Sequence, residues 1–393
     1  MAAVPWAGER ARLQSWTGRR FIVLTETGEY SFNPMANTWS GDGSFARPGG
    51  FAWSATGEMQ WAKLPTVDRV AVWEGTQTNP GDQLYLFTDD GAGGSWEAVA
   101  DGATLGTRRG ATILADGTNV YVAYGVNQER VARYDASTGG FGISAETPVA
   151  DFCGSGARFM NPVAIAGGKI FTLGGVGADL GTCPGTTVLQ ATVPAMPAWT
   201  HGAGSLGRRA SHVFMEWNGK LVIAGGQGVG PTTSSCTLGD LQLVDPATGA
   251  VNATVNPPPT ALGSGTFALR AGKGLFFYGG RDVRCDNVTI RSFAGGAIGV
   301  PHPSSPGNIE WHLLPTSAED PGARHSIPND HRGWGSAQPM WTGYEAILFG
   351  GYDNTSALLT GSTYQPPVGC VCPSPETAAC AGVAPDVPAC STM

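Results

Sequence analysis

The chain has 393 residues, a formal net charge of −8 and 59 glycines, about twice the usual glycine share. Only 14% of its residues are charged and only four are lysine, which excludes coiled coils and helical bundles. Its 12 Trp, 15 Phe and 9 Tyr exclude a disordered chain, and glycine at no fixed third position excludes collagen. The acidic balance disfavours nucleic acid as a partner, and no apolar run is long enough for a membrane-spanning helix. The opening MAAVPWAGERARLQSW lacks an apolar centre and does not read as a signal peptide.

In chain order, short apolar runs rich in β-formers recur and stop at glycine. They are FIVLTETG at 21–28, VAVWEG at 70–75, VYVAYG at 120–125, KIFTLGG at 169–175, KLVIAGG at 220–226, GLFFYGG at 274–280 and EAILFGG at 345–351. The step is about fifty residues except before the last run, where an insertion lies between 281 and 344. Each run is followed by a further strand, a turn and a bulky anchor: Trp39, Trp96, Phe141, Trp199, Val251 and, after a stretched sixth repeat, Trp311. Asn-Pro, Asp-Asp-Gly and Asp-Pro-Ala-Thr-Gly supply the turns. Four antiparallel strands per repeat make a propeller blade.

These residues resemble the kelch-repeat family over about residues 5–366, most clearly in the last four repeats. The resemblance implies an all-β, seven-bladed propeller similar to galactose oxidase-like proteins. The copper-site residues of those oxidases do not carry over, because no Tyr-His pair occurs. No cofactor or metal is expected, and no catalytic residue is assigned. Residues 1–366 are expected to form one domain, with 367–393 a Cys/Pro-rich tail or stalk. Blade seven lacks a fourth strand of its own, so residues 2–7 are expected to supply it, with Trp6 as anchor and the ring thereby closed.

Eight cysteines without C-x-x-C spacing favour disulfides in a secreted or cell-surface protein. Cys370, Cys372, Cys380 and Cys390 fall in the tail. Cys153, Cys183, Cys236 and Cys285 fall in the long loops between second and third strands or between blades, which open on one face. Cys153–Cys183 and Cys236–Cys285 are reasonable pairs, among three pairings that four cysteines allow. Arginines precede inner strands on the same face: Arg47, Arg108, Arg109, Arg158, Arg208, Arg209 and Arg324, joined by Arg281 and Arg284. Arg108, Arg109, Arg158, Arg209, Arg281, Arg324 and His325 are candidates for gripping an acidic ligand. The alternative is that such arginines tie the blades through backbone hydrogen bonds. His325 and His331 flank Asp330 in the insertion, the best acid–base cluster in the sequence.

Taken together, the sequence points to an extracellular binding or scaffold module that takes a protein or glycan through its loop-rich face. A carbohydrate-active enzyme working at the axial mouth, in the manner of mutarotase-like propellers, is the second reading. A surface-fibre subunit that self-associates through the tail is the third.

Overall fold

The seven apolar runs that stop at glycine are the second strands of seven antiparallel sheets. A computed structural model describes residues 4–6, 13–25, 28–34, 36–41, 58–75, 83–91, 93–106, 108, 111–125, 130–145, 163–174, 188–202, 206–228, 233–252, 255–286, 288–302, 308–314, 322, 324, 339–343, 345–352, 358 and 360–365. Blade one is β1 (Leu13–Trp16), β2 (Phe21–Leu24), β3 (Glu29–Asn33) and β4 (Thr38–Gly41). Blade two is β5 (Glu58–Lys63), β6 (Arg69–Gly75), β7 (Gln83–Thr88) and β8 (Ser95–Asp101). A single helical turn, α1 (Gly102–Leu105), leads to blade three: β9 (Thr112–Asp116), β10 (Asn119–Ala123), β11 (Val131–Asp135) and β12 (Gly140–Ile143). Blade four is β13 (Val163–Ala166), β14 (Lys169–Thr172), β15 (Leu189–Thr192) and β16 (Thr200–His201). Blade five is β17 (Val213–Trp217), β18 (Lys220–Ala224), β19 (Leu241–Val244) and β20 (Val251–Asn252).

Blade six departs from the pattern. After β21 (Phe267–Ala271) and β22 (Gly274–Tyr278), the chain makes a separate two-stranded ribbon, β23 (Arg281–Val283) and β24 (Thr289–Ser292). It then returns to the blade as β25 (Gly296–Pro301) and β26 (Ile309–Leu313). The segment expected as an irregular loop at 281–287 is therefore the first half of a hairpin. Blade seven is β27 (Met340–Trp341), β28 (Ala346–Phe349) and β29 (Gly361–Tyr364), with no fourth strand among the described residues.

A sheet with two apolar faces needs a neighbour on each side. Among the described residues the buried side chains accordingly form seven clusters, each shared by two successive blades. Blades two and three, for example, share Trp73, Leu84 and Leu86 with Ile113, Val120 and Val122. Inner strands touch in sequence from β1 through β5, β9, β13, β17, β21 and β27, and β27 returns to β1. The array is thus a closed seven-bladed ring. Polar contacts reinforce it on the short-turn face. Asp89 of blade two accepts from Arg20 Nε and Nη2 at 3.0 and 2.9 Å and from Thr17 Oγ1 at 2.6 Å, both in blade one.

The anchors divide into two groups. Trp199 and Trp311 pack between blades and donate their indole N–H to the backbone of the preceding blade, at Ala145 and Asn256. Trp39, Trp96 and Val251 also pack against inter-blade clusters. Phe141, expected to do the same in blade three, stacks on Tyr134 and stays 41% exposed. In its register Phe141 lies opposite Tyr134, and it is Tyr134 that reaches the blade-two interface.

The ring closes between blades seven and one, and Trp6 sits in that seam. It is 4% exposed and joins a cluster with Phe21, Val23 and Phe32 of blade one and Met340, Ile347 and Phe349 of blade seven. Its ring lies 4.4 Å from Tyr30, 5.0 Å from Trp39 and 6.2 Å from Phe349 between centroids. Val4–Trp6 is not in a ladder, and Pro5 has no N–H to give one. Residues 2, 3 and 7 lie outside the described residues, as does the tail at 367–393. At the described positions the N-terminal segment contributes to closure through the indole, beside the contacts of Phe21 and Trp39 with Phe349. Trp6→Ala is expected to destabilise the protein by about 3–5 kcal/mol in urea unfolding. A loss under about 1 kcal/mol would mean the seam closes without it.

Candidate functional site

The loop-rich face is built from one repeated contact. Gly279 and Gly280 end β22 with φ of +60° and +109°, a backbone turn that side chains rarely allow. The turn lets Gly280 N–H donate to the Arg324 carbonyl at 2.8 Å, and a Cβ on Gly279 would run into that same oxygen. Arg324 enters blade seven. Its guanidinium is fully buried and donates to the Gly350 carbonyl at 2.7 Å and the Thr360 carbonyl at 2.9 Å, where β28 ends and β29 is about to begin. One arginine thus joins the exit of blade six to the two central strands of blade seven.

The contact recurs at Arg209, while Arg108 meets blade two through its carbonyl, which accepts from Trp73 Nε1 at 3.1 Å. Arg209 presents its carbonyl against Gly174 of blade four. Its side chain donates to Leu206 O, to Gly225 O at the exit of β18 and, in a bidentate pair at 3.2 and 2.9 Å, to Asp240 ahead of β19. Arg108 donates to Leu105 O, Val122 O, Tyr124 O and Arg130 O within blade three. These guanidinium groups face the protein's own carbonyls, not solvent. A guanidinium has five fixed donors, which suits several carbonyls converging at a strand exit.

Arg281 is also buried. It begins β23, exchanges backbone hydrogen bonds with Ser264, and donates from Nη1 to Thr289 Oγ1 at 2.8 Å. Burial pulls its guanidinium down to about 10. Arg109, Arg158 and His325 lie outside the described residues, as do Arg47, His331 and Asp330. His212, three residues after Arg209, is buried among Phe214, Gly174 and Gly226. Burial, and secondarily the Arg209 charge, hold its imidazole well below the ordinary histidine value, so it is neutral at pH 7. Among the described residues no group of three His, Cys, Asp or Glu side chains could hold a metal ion, and no helix is long and apolar enough to cross a membrane.

Above this base the structure adds a feature that the sequence analysis missed. The loop of blade five at 233–238 runs antiparallel beside the ribbon of blade six and meets it at an isolated bridge. Cys236 N–H donates to Val283 O at 2.9 Å, Cys285 N–H to Ser234 O at 3.1 Å, and Ser235 bridges Arg284. On its other side the same loop pairs with Gln227 and Gly228, and Gln227 pairs with Ala210. The result is a small sheet lying across two blades. Asp282 of β23 fastens it, accepting from Ser235 Oγ at 2.7 Å and Thr237 Oγ1 at 2.6 Å. The expected Cys236–Cys285 disulfide forms across it, with Cα atoms 4.9 Å apart. Closing a loop over 49 residues stabilises by about 4 kcal/mol in the chain-entropy picture. Cys153, Cys183, Cys370, Cys372, Cys380 and Cys390 lie outside the described residues.

The outer surface of this platform is mixed in chemistry. Val288 and Ile290 are about half exposed, and the Arg291 side chain is largely exposed over the Phe293 ring at 5.5 Å. Alternating β-formers in RDVRCDNVTIRS, around a Cys-Asp-Asn turn, are the signal from which the ribbon could have been read. The arginine ties and the platform make different demands. Arg108→Met should cost about 2–4 kcal/mol in urea unfolding, because it strands several buried carbonyls. A change within about 0.5 kcal/mol would contradict the tying role.

No protein-family profile matches this chain, and no curated protein matches it in sequence. Among solved structures it is similar to the structure of YjhT, with a TM-score of 0.50 at 15% identity, over 78% of this chain and 93% of that one. At that identity the likeness concerns the fold alone.

Proposed function

We propose that the protein is an extracellular kelch-type propeller that binds a protein or glycan on its loop-rich face. The observation that carries this reading is the disulfide-fastened sheet across blades five and six. A propeller does not need it to close, since successive blades already share apolar clusters. A rigid ribbon with an exposed Val288–Ile290 pair and a projecting Arg291 suits recognition, because little order is left to be imposed on binding. The disulfide favours an oxidising compartment. Arg109, Arg158 and His325 belong by sequence to the same face, and the proposal keeps them as ligand contacts. A propeller is a common platform for such binding, and long loops on a rigid scaffold are where binding residues concentrate.

The reading is tested with arrayed neutral and acidic glycans and with displayed peptides, comparing the wild type with Val288→Ser/Ile290→Ser. The control is Arg270→Glu, which changes an exposed charge on the opposite, short-turn face. The ribbon variant should lose at least ~tenfold in affinity for whatever the wild type binds, with its melting temperature unchanged. Equal loss in both variants would place binding elsewhere.

A further inference from the structure

Outer strands of a propeller are sheet edges, and edges are usually protected by charge, brevity or covering. Most of the described outer strands obey this. β8 carries Glu97 and β26 carries Glu310, while β16 and β20 are two residues long. β4 turns Trp39 into the seam between blades seven and one. The exception is β12, Gly-Phe-Gly-Ile. It has no charge and no proline, and it exposes Phe141 at 41% and Ile143 at 50%.

The backbone register says which groups this edge offers. Ser144 N–H donates to Val131 O, while Ala136 N–H and Tyr124 N–H bond across the β10 side, to Thr118 O and Arg130 O. Antiparallel ladders alternate, so Val131, Arg133 and Asp135 bond towards β12 and their partners Gly140 and Gly142 point inward. Phe141 and Ile143 therefore turn both their N–H and C=O outward, and β12 pairs only with β11 among the described residues.

We propose that β12 pairs with β12 of a second copy, antiparallel about a twofold axis at Gly142. In that register Phe141 of one copy faces Ile143 of the other, and the reverse. All four outward backbone groups are satisfied, because the two outward residues meet each other. Each Phe–Ile pair is apolar on both sides and lies on one face of the joined sheet. On the opposite face Gly140 and Gly142 add no side chains of their own, and the Arg133 guanidinium of β11 lies over Gly142. The strand is complementary to itself, as a twofold interface requires.

The contact is small. Four backbone bonds and two side-chain pairs fall short of the ~1,200 Å² buried by a stable interface. The dimer is accordingly weak, with a dissociation constant on the order of 100 µM.

Sedimentation velocity of the full chain from about 5 to about 500 µM brackets that value. The wild type should move from monomer to dimer across the range. Ile143→Lys should raise the constant at least ~tenfold, since two lysines then flank the twofold on an otherwise apolar edge. F141D/I143K sets opposite charges against each other across the axis and should restore dimerisation. Melting temperatures report that both variants fold, and both positions are exposed enough to accept the change. A wild type that stays monomeric overturns the proposal, including the case in which β12 instead captures an extended peptide. A dimer that Ile143→Lys leaves intact overturns it too, and failure of the double variant to dimerise contradicts the register.

Discussion

The structure depends on the burial of both faces of every sheet. A four-stranded blade has apolar side chains on each side, so it is stable only between two neighbours. Seven shared clusters meet this demand, and the ring has no end blade. The seam is where the demand is hardest to satisfy, since blades seven and one are far apart in sequence. There Trp6, Trp39, Phe21 and Phe349 form a connected set of ring contacts, to which Tyr30 is joined through Trp6. Aromatic rings supply the most buried area per residue at a joint that few backbone hydrogen bonds cross.

The glycine exits and entry arginines extend the same logic to the loop face. A strand exit leaves carbonyls without ladder partners, and burial makes each of them costly. Arg108, Arg209 and Arg324 answer several of these at once. The glycines let the neighbouring backbone come close enough to join in. The base of the loop face is therefore stiff and its chemistry is spent internally. The exposed Val288, Ile290 and Arg291 instead belong to the ribbon of blade six, which is bridged to blade five.

Much of the ring was legible because its causes are local. FIVL, VYVA, KLVIA and AILF read as buried strands, and the last three run out at glycines where the backbone turns left-handed. The Cys236–Cys285 pair was also within reach, since both residues fall in corresponding loops of adjacent blades. The ribbon was hidden by phase. It lies between the second strand and the next strand of its blade, a position that a repeat-based reading assigns to a loop. The arginines were ambiguous for a deeper reason. Whether a guanidinium meets a ligand or a carbonyl depends on which strand exits converge on it, and that is decided by the closed ring. Phe141 shows the same limit, for its spacing matches the other anchors while Tyr134 across the ladder already fills the interface.

Native-state hydrogen exchange of the seven second strands, β2, β6, β10, β14, β18, β22 and β28, tests the closed ring most directly. Their slowest amides should open together at the global unfolding free energy, because no blade keeps its core when the ring parts. Earlier exchange of β2 and β28, with the other five still protected, would show the seam to be a weak joint between ends and would contradict the account.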